Sequence, residues 1–186
     1  MKRDEKGQAK RRGARRFIAD ERGMSAVEFA LLLPFMVLLY LGGFELAQGI
    51  AVNRMVALTA STVTNLVVQY TSISAGQDMP DILNSSTLIM TPYAPANAAV
   101  IVSCITIDAK GNATVTWSQA LHAKPRTVGS AVSVPGALDT ANTTLILGEA
   151  SYAYTPAIDF LKLGVRNLTA SVYMFPRASP TITLTP

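Results

Sequence analysis

The longest apolar stretch of the chain runs from Met24 to Phe44, 21 residues that carry a single charge, Glu28. An α-helix needs about 20 such residues to cross the hydrocarbon core of a bilayer. A buried core helix is the alternative, but such helices seldom stay apolar on every face over this length. The pattern therefore predicts a transmembrane helix, delimited here as residues 24–46.

Beyond the span, the apolar pattern narrows to a stripe. No proline occurs between Leu46 and Ser74, and apolar residues recur at spacings of three and four, which predicts that the helix continues to about Tyr70 with one apolar face. The stripe consists of Ile50, Val52, Val56, Ala60, Val63, Leu66, Val67 and Tyr70. The segment SISAGQDMPD then predicts a break. A short second helix should start at Asp78 or Pro80 and stop before Thr91-Pro92.

The rest of the chain is typical of β-structure. The runs AAVIVSCITID and ATVTWSQA flank Lys110-Gly111-Asn112, which predicts a hairpin, and TLILGEASYAYT and NLTASVYMF predict two more strands. A stretch rich in Gly, Pro, Ser and Thr, LHAKPRTVGSAVSVPGALDTANTT, predicts a long loop between the pairs. The predicted fold class is α+β. A long N-terminal transmembrane helix extends into a small extracytoplasmic domain, residues 47–186, with a roughly four-stranded antiparallel sheet.

Charge is concentrated before the apolar run. Residues 1–23 hold nine Lys or Arg against four Asp or Glu, whereas residues 24–186 hold seven against eight. Cations placed directly before a span favour a cytoplasmic leader over a nucleic-acid-binding face, so no nucleic-acid partner is expected. The positive-inside rule predicts a cytoplasmic N-terminus, with everything after the span on the outer side of the membrane.

A small residue stands where this basic leader meets the apolar run. Gly23 precedes Met24, and Glu28 is the fifth residue of the run. No A-x-A site follows the run, as an ordinary secretory signal peptide would require. The arrangement resembles the processing signal of type IV prepilins. The continuations AVEFALLLP and LGGFELAQG resemble TadE-like minor pseudopilins of Tad (tight adherence) systems, and LILGEASYAYTP and LTASVYMFPR resemble their C-terminal strands more loosely.

This resemblance implies a function in assembling Tad-type pili for adhesion, surface attachment and biofilm formation. It implies cleavage by a prepilin peptidase between Gly23 and Met24. The implied location is the bacterial inner membrane, with a periplasmic C-terminal domain and association with the pilus. The implied partners are that peptidase, other pilins and pseudopilins such as a TadF-like protein, and the inner-membrane assembly platform.

Glu28 allows two interpretations. A carboxylate in hydrocarbon costs a few kcal/mol unless it finds a partner or reaches the interface. By resemblance to type IV pilins, its partner would be the new α-amine of Met24 in a neighbouring subunit, which would set the register of packed helices. Alternatively, Glu28 reaches water at the cytoplasmic interface and complements the positive N-terminal end of the helix.

Residues for catalysis are scarce, and an enzyme is not predicted. The single histidine, His122, lies in the polar loop, and Glu149 lies within a predicted strand; these two would be the main candidates in a tethered enzyme. The chain lacks the common hydrolase, zinc and P-loop motifs, and no metal or cofactor is expected. Cys104 is expected to be a small buried apolar side chain. An uncleaved, membrane-anchored envelope scaffold or binding protein remains the alternative function.

Overall fold

A computed structural model of the chain describes residues 21–156, 158–159, 162 and 164–186. The chain divides into two compact units, Met1–Phe44 and Glu45–Pro186. Most of the predicted leader, residues 1–20, lies outside the described residues. The membrane span was predicted to end at residue 46, and this limit stays a prediction.

The long first helix, α1, runs from Glu21 to Val67 and contains Pro34. This confirms that the helix continues past the apolar run, although it ends three residues before the predicted Tyr70. Within the second unit, its buried positions recur at spacings of three and four, as an amphipathic helix requires. They are Val52, Val56, Ala60, Val63 and Val67. Ile50 and Tyr70 were assigned to the same stripe, but both are exposed.

The remaining elements follow in the predicted order. The predicted break contains a short strand, β1, and the predicted second helix is present as α2, which begins at Asp78. The bounds are β1 Ser72–Ser74, α2 Asp78–Ile89, a 3-10 turn Pro95–Asn97, β2 Ala98–Ile107, β3 Ala113–Leu121, β4 Thr143–Tyr154, β5 Arg166–Met174 and β6 Thr183–Thr185.

Four of these strands form an antiparallel sheet in the order β3-β2-β4-β5. This confirms the predicted α+β class and sheet. The β2–β3 hairpin turns at Gly111, whose φ of 83° suits a residue without a Cβ. Asp108 closes the turn by accepting hydrogen bonds from the backbone N–H groups of Lys110 and Asn112, at 2.7 and 2.8 Å.

A second sheet was not predicted. β1 and β6 pair in parallel, with Ser72 opposite Thr183 and Ser74 opposite Thr185. Beside this pair, the indole Nε1 of Trp117 donates a hydrogen bond of 2.7 Å to the carbonyl oxygen of Ile182, which is itself buried. The end of the described chain is therefore fastened to the segment that directly follows α1.

The core lies on both faces of the four-stranded sheet. One face packs on the second-unit part of α1 and on α2. It buries Cys104, as expected, together with Trp117. The predicted long loop is present between β3 and β4 as residues 122–142, and it covers part of the other face with three half-buried apolar side chains, Val132, Val134 and Leu138. Because full burial of an aliphatic side chain contributes roughly 1.5–3 kcal/mol, the partial burial of each of these three contributes a fraction of that, and together they hold the loop on the sheet.

Candidate processing and assembly segment

The Gly23–Met24 bond lies in the first turns of α1, which begins at Glu21. Both residues are exposed, and no described atom lies within 4 Å of a Cβ built on Gly23. Packing among the described residues therefore gives no reason for a glycine at this position. A protease needs this turn to open, and glycine weakens a helix by about 1 kcal/mol relative to alanine.

Glu28 lies four residues after Met24 on the same helix, so both side chains share one face. Glu28 is exposed, as are Val27 and Phe29 on either side. An α-amine on Met24 would stand about 6 Å along the helix axis from Glu28. That offset equals about one helical turn, which is the axial shift that would bring an amine of one helix beside the carboxylate of another.

The helix after Glu28 presents apolar side chains in all directions. Leu31, Phe35 and Leu39 are each about two-thirds or more exposed, and no residue in the most apolar part of the helix is buried. A core helix of a soluble protein would be largely buried. Length and composition are therefore compatible with a single-pass membrane anchor, as predicted.

Comparison with known families finds a match that includes this segment. Residues 23–64 match the family described as TadE-like protein. Over this range the chain is similar to that family. The match begins at Gly23, and its first six residues include Met24 and Glu28, so the predicted resemblance is confirmed where those residues lie. The matched TadE-like range ends before the sheet, and the looser resemblance of the C-terminal strands stays a prediction.

The TadE-like match suggests a function related to the Tad pilus. No curated protein and no solved structure matches the chain. Cleavage at Gly23–Met24 and the assembly role of Glu28 stay predictions, since both need a partner molecule.

The burial of one acidic residue was not predicted from the sequence. Glu45, the first residue of the second unit, is only 6% exposed. Burial, and then the charges of Glu45 and Tyr93, raise the pKa of Tyr154. Glu45 precedes Val52 by seven residues, which places it on the buried face of the helix. That spacing was the available signal, but Tyr154, whose pKa Glu45 affects, is distant in sequence.

The two candidate catalytic residues are engaged in structural contacts. His122 is exposed, and its Nδ1 lies 2.9 Å from the carbonyl oxygen of Ala98. Glu149 accepts two hydrogen bonds from Arg126, at 2.7 and 2.8 Å, in a bidentate ion pair. This pair joins the loop to β4, a contact that the sequence did not predict. Among the described residues, no group of three His, Cys, Asp or Glu side chains could hold a metal ion.

Proposed function

We propose that this chain is a minor pseudopilin of a Tad-type pilus system, anchored in the bacterial inner membrane by one span. The leader is cytoplasmic, the second unit is periplasmic, and the protein contributes to pili used in adhesion and surface attachment. The observation that carries this proposal is the TadE-like match that begins at Gly23 and includes Glu28. We assign the chain no catalytic activity.

In this proposal, a prepilin peptidase cleaves between Gly23 and Met24. Glycine allows close approach of the backbone to the enzyme, where a Cβ would clash. Cleavage removes the basic leader and leaves an α-amine on Met24 at the start of the apolar helix. That amine can then pair with Glu28 of another pilin or pseudopilin, a TadF-like protein among them, as the inner-membrane platform assembles the pilus.

The test is the mass of the protein from cells with an active prepilin peptidase. The wild type should begin at Met24, whereas Gly23→Phe should keep its leader and stay in the membrane, because the bulky side chain blocks the scissile bond. Gly43→Phe is the matched control, since Gly43 is also a helical glycine with no described atom near a built Cβ. It should mature normally.

A wild-type protein that begins at Met1 would instead support the uncleaved envelope scaffold. Normal maturation of Gly23→Phe would mean that the cleavage site lies elsewhere.

A further inference from the structure

The four-stranded sheet has two edges, formed by β3 and β5, and the loop covers only part of the first. The N–H of Val115 donates a hydrogen bond of 3.0 Å to the carbonyl oxygen of Ser130, and the carbonyl oxygen of Val115 accepts one of 2.7 Å from Gly129. Among the described residues, no backbone hydrogen bond reaches the edge of β3 beyond Val115 or the outer edge of β5. An unpaired strand edge is a template for pairing with another chain.

The hydrogen bonds of Val115 show which residues of β3 offer their backbone groups at this edge. Residues of an antiparallel ladder alternate between facing the partner strand and facing away from it. Because Val115 faces the loop, its partner Ile105 faces β4, and so does every second residue of β2. The β3 partners of the next two such residues are Ser118 and Ala120. The N–H and C=O groups of Ser118 and Ala120 therefore point outward.

Strand β4 carries the same alternation to the other edge of the sheet. In these two rows, the residues of β4 are Leu147 and Glu149, and both face β2. Their partners on β5 are Tyr173 and Ser171, which therefore face away from β4. The free edges of β3 and β5 thus offer N–H and C=O groups in the same two rows of the sheet.

The directions of the strands make the two edges complementary in two copies of equal orientation. Neighbouring strands are antiparallel throughout the sheet, so β3 and β5 run in opposite directions. When β5 of one copy lies beside β3 of the next, the pair is antiparallel, and the second-unit parts of α1 in both copies point the same way. With the two sheets level, Ser171 of one copy faces Ala120 of the other. Tyr173 then faces Ser118, and both become hydrogen-bonded pairs.

The lengths of the free edges also match. In the level arrangement, Ala170–Met174 lies opposite Trp117–Leu121, and β5 ends before it meets the loop segment on Val115. Neither range contains a charged residue or a proline, which are common devices against edge-to-edge pairing. A groove of about 140 Å³ between α2 and β3 lies beside Gln119, so there is room for Val172 of the second copy.

We propose that β5 of one copy pairs with β3 of a second copy and joins the two second units in one continuous antiparallel sheet. The contact is heterologous, so a dimer keeps one free β3 edge and one free β5 edge for further subunits. This inference rests on the proposed function, because subunits that leave one membrane for the same pilus have the same orientation. It gives these subunits a sheet contact in addition to the pairing of their helices.

The experiment forms a disulfide between two single-cysteine variants of the full chain, Gln119→Cys and Val172→Cys. The variants carry different tags, are co-expressed in cells with an active prepilin peptidase, and are oxidised in isolated membranes. In the proposed contact, the two positions form a non-hydrogen-bonded pair with Cα atoms about 4.5 Å apart, which suits a disulfide. A disulfide-linked heterodimer is the expected product.

Leu168→Cys is the matched control for Val172→Cys. Leu168 is also a half-buried apolar residue on the same face of β5, but it lies four residues, or about 13 Å, out of register. Combined with Gln119→Cys, it should give little heterodimer. Native Cys104 is buried, and burial raises its pKa to about 11, so its thiol reacts little at neutral pH. Oxidised wild type gives the background.

Ser171→Pro, added to Val172→Cys, tests the backbone hydrogen bonds themselves. Because the N–H of Ser171 faces away from β4, the fold does not need it, and an edge strand accepts proline at such a position. The yield of heterodimer should fall roughly threefold or more, since at least one hydrogen bond is lost. Trp117 fluorescence checks that the fold is kept. An unchanged yield in a folded Ser171→Pro variant would overturn the pairing.

The mass of the chains in the same sample separates this contact from the proposed function. If the chains begin at Met24 but give no more heterodimer than the Leu168→Cys control, the edge contact is refuted and the pseudopilin proposal stands. If the heterodimer forms between chains that begin at Met1, the contact is supported and the proposed cleavage is wrong. A dimer of Val172→Cys alone would mean that two β5 edges meet, which contradicts the head-to-tail arrangement.

Discussion

Glu28 brings a carboxylate into the first turns of an apolar helix, and the two interpretations of it differ in their partner. If it only reaches water, its charge is unnecessary once the helix is inserted. If it pairs with the α-amine of Met24 in another subunit, the charge sets how far neighbouring helices are shifted. The described residues leave Glu28 exposed, which is compatible with both interpretations, so the test needs a second molecule.

Glu28→Gln therefore tests assembly separately from maturation. The neutral side chain should leave cleavage at Gly23–Met24 intact but reduce recovery of the protein with its pseudopilin partners, since a charged pair is replaced by a weaker hydrogen bond. Mass spectrometry and co-purification measure the two effects. Glu28→Asp, which keeps the charge, should retain more of the association. Equal recovery of wild type and Glu28→Gln would favour the interfacial interpretation.

The raised pKa of Tyr154 predicts the direction in which the stability of the fold changes with pH. Because its folded pKa is raised, the folded protein holds the phenol proton more tightly than the unfolded chain, where the pKa is about 10. The associated stability is complete below about pH 10 and is lost as the pH rises through the folded pKa. Glu45→Gln should lower the pKa of Tyr154, so its tyrosinate absorbance should appear at lower pH. The variant Tyr154→Phe identifies the part of the tyrosinate absorbance that comes from Tyr154. If Glu45→Gln left the titration of Tyr154 unchanged, the interaction between Glu45 and Tyr154 would be contradicted.

At the scale of elements, α1 and the sheet approach each other closely at Gly148. The Thr64 hydroxyl, which donates a hydrogen bond of 2.6 Å to the Ala60 carbonyl oxygen, occupies the space that a Cβ on Gly148 would need. A side chain at this position would push the strand off the helix. The glycine within an otherwise β-branched and apolar strand is thus explained by packing.

Gly148→Ala should destabilise the second unit by about 1–3 kcal/mol, the usual cost of overpacking a core. Urea unfolding followed by Trp117 fluorescence measures it. Thr64→Ala in the same chain should recover part of the loss, because it removes the hydroxyl that clashes. Gly136→Ala is the control, with no described atom near its built Cβ, and should stay within about 0.5 kcal/mol of wild type. If Gly148→Ala lowered the free energy of unfolding no more than Gly136→Ala does, the close packing of Gly148 on Thr64 would be contradicted.

The elements that sequence predicts well are those set by local pattern. The absence of proline between Pro34 and Pro80 and the apolar spacing predict a continuous helix, and Lys110-Gly111-Asn112 predicts the hairpin. The parallel β1–β6 pair escaped prediction because each strand has three residues and the partners are far apart in the chain. For the candidate site, Gly23, Met24 and Glu28 were selected from sequence alone and their roles stay predictions, whereas the environment of Glu45 depends on Tyr154, which the fold brings near it.

At the scale of the whole molecule, Ile182 links the last strand to the core. It is 1% exposed, and its carbonyl oxygen accepts the Trp117 hydrogen bond. Losing its side chain would leave a cavity beside Trp117 and β1. The stability of the second unit therefore depends on a residue near the end of the described chain.

Ile182→Ala should lower the free energy of unfolding by roughly 2–5 kcal/mol, as expected for a buried aliphatic residue. Chemical denaturation followed by Trp117 emission is the measurement, and the folded-state emission should also shift as the indole environment changes. Thr181→Ala, at an exposed neighbouring position, should have little effect. Equal stabilities of the two variants would show that the last strand does not contribute to the core.

The parallel β1–β6 pair also sets the order of events during biogenesis. Ser72–Ser74 emerge early in synthesis, but their partners Thr183–Thr185 emerge more than 100 residues later. In the proposed topology, the cell must therefore keep an unfinished, β-rich segment from aggregating on the far side of the membrane until translocation has delivered Ile182 and β6. Under that proposal, the β1–β6 pair forms only after translocation, and the supply of assembly-competent subunits depends on export as well as on cleavage.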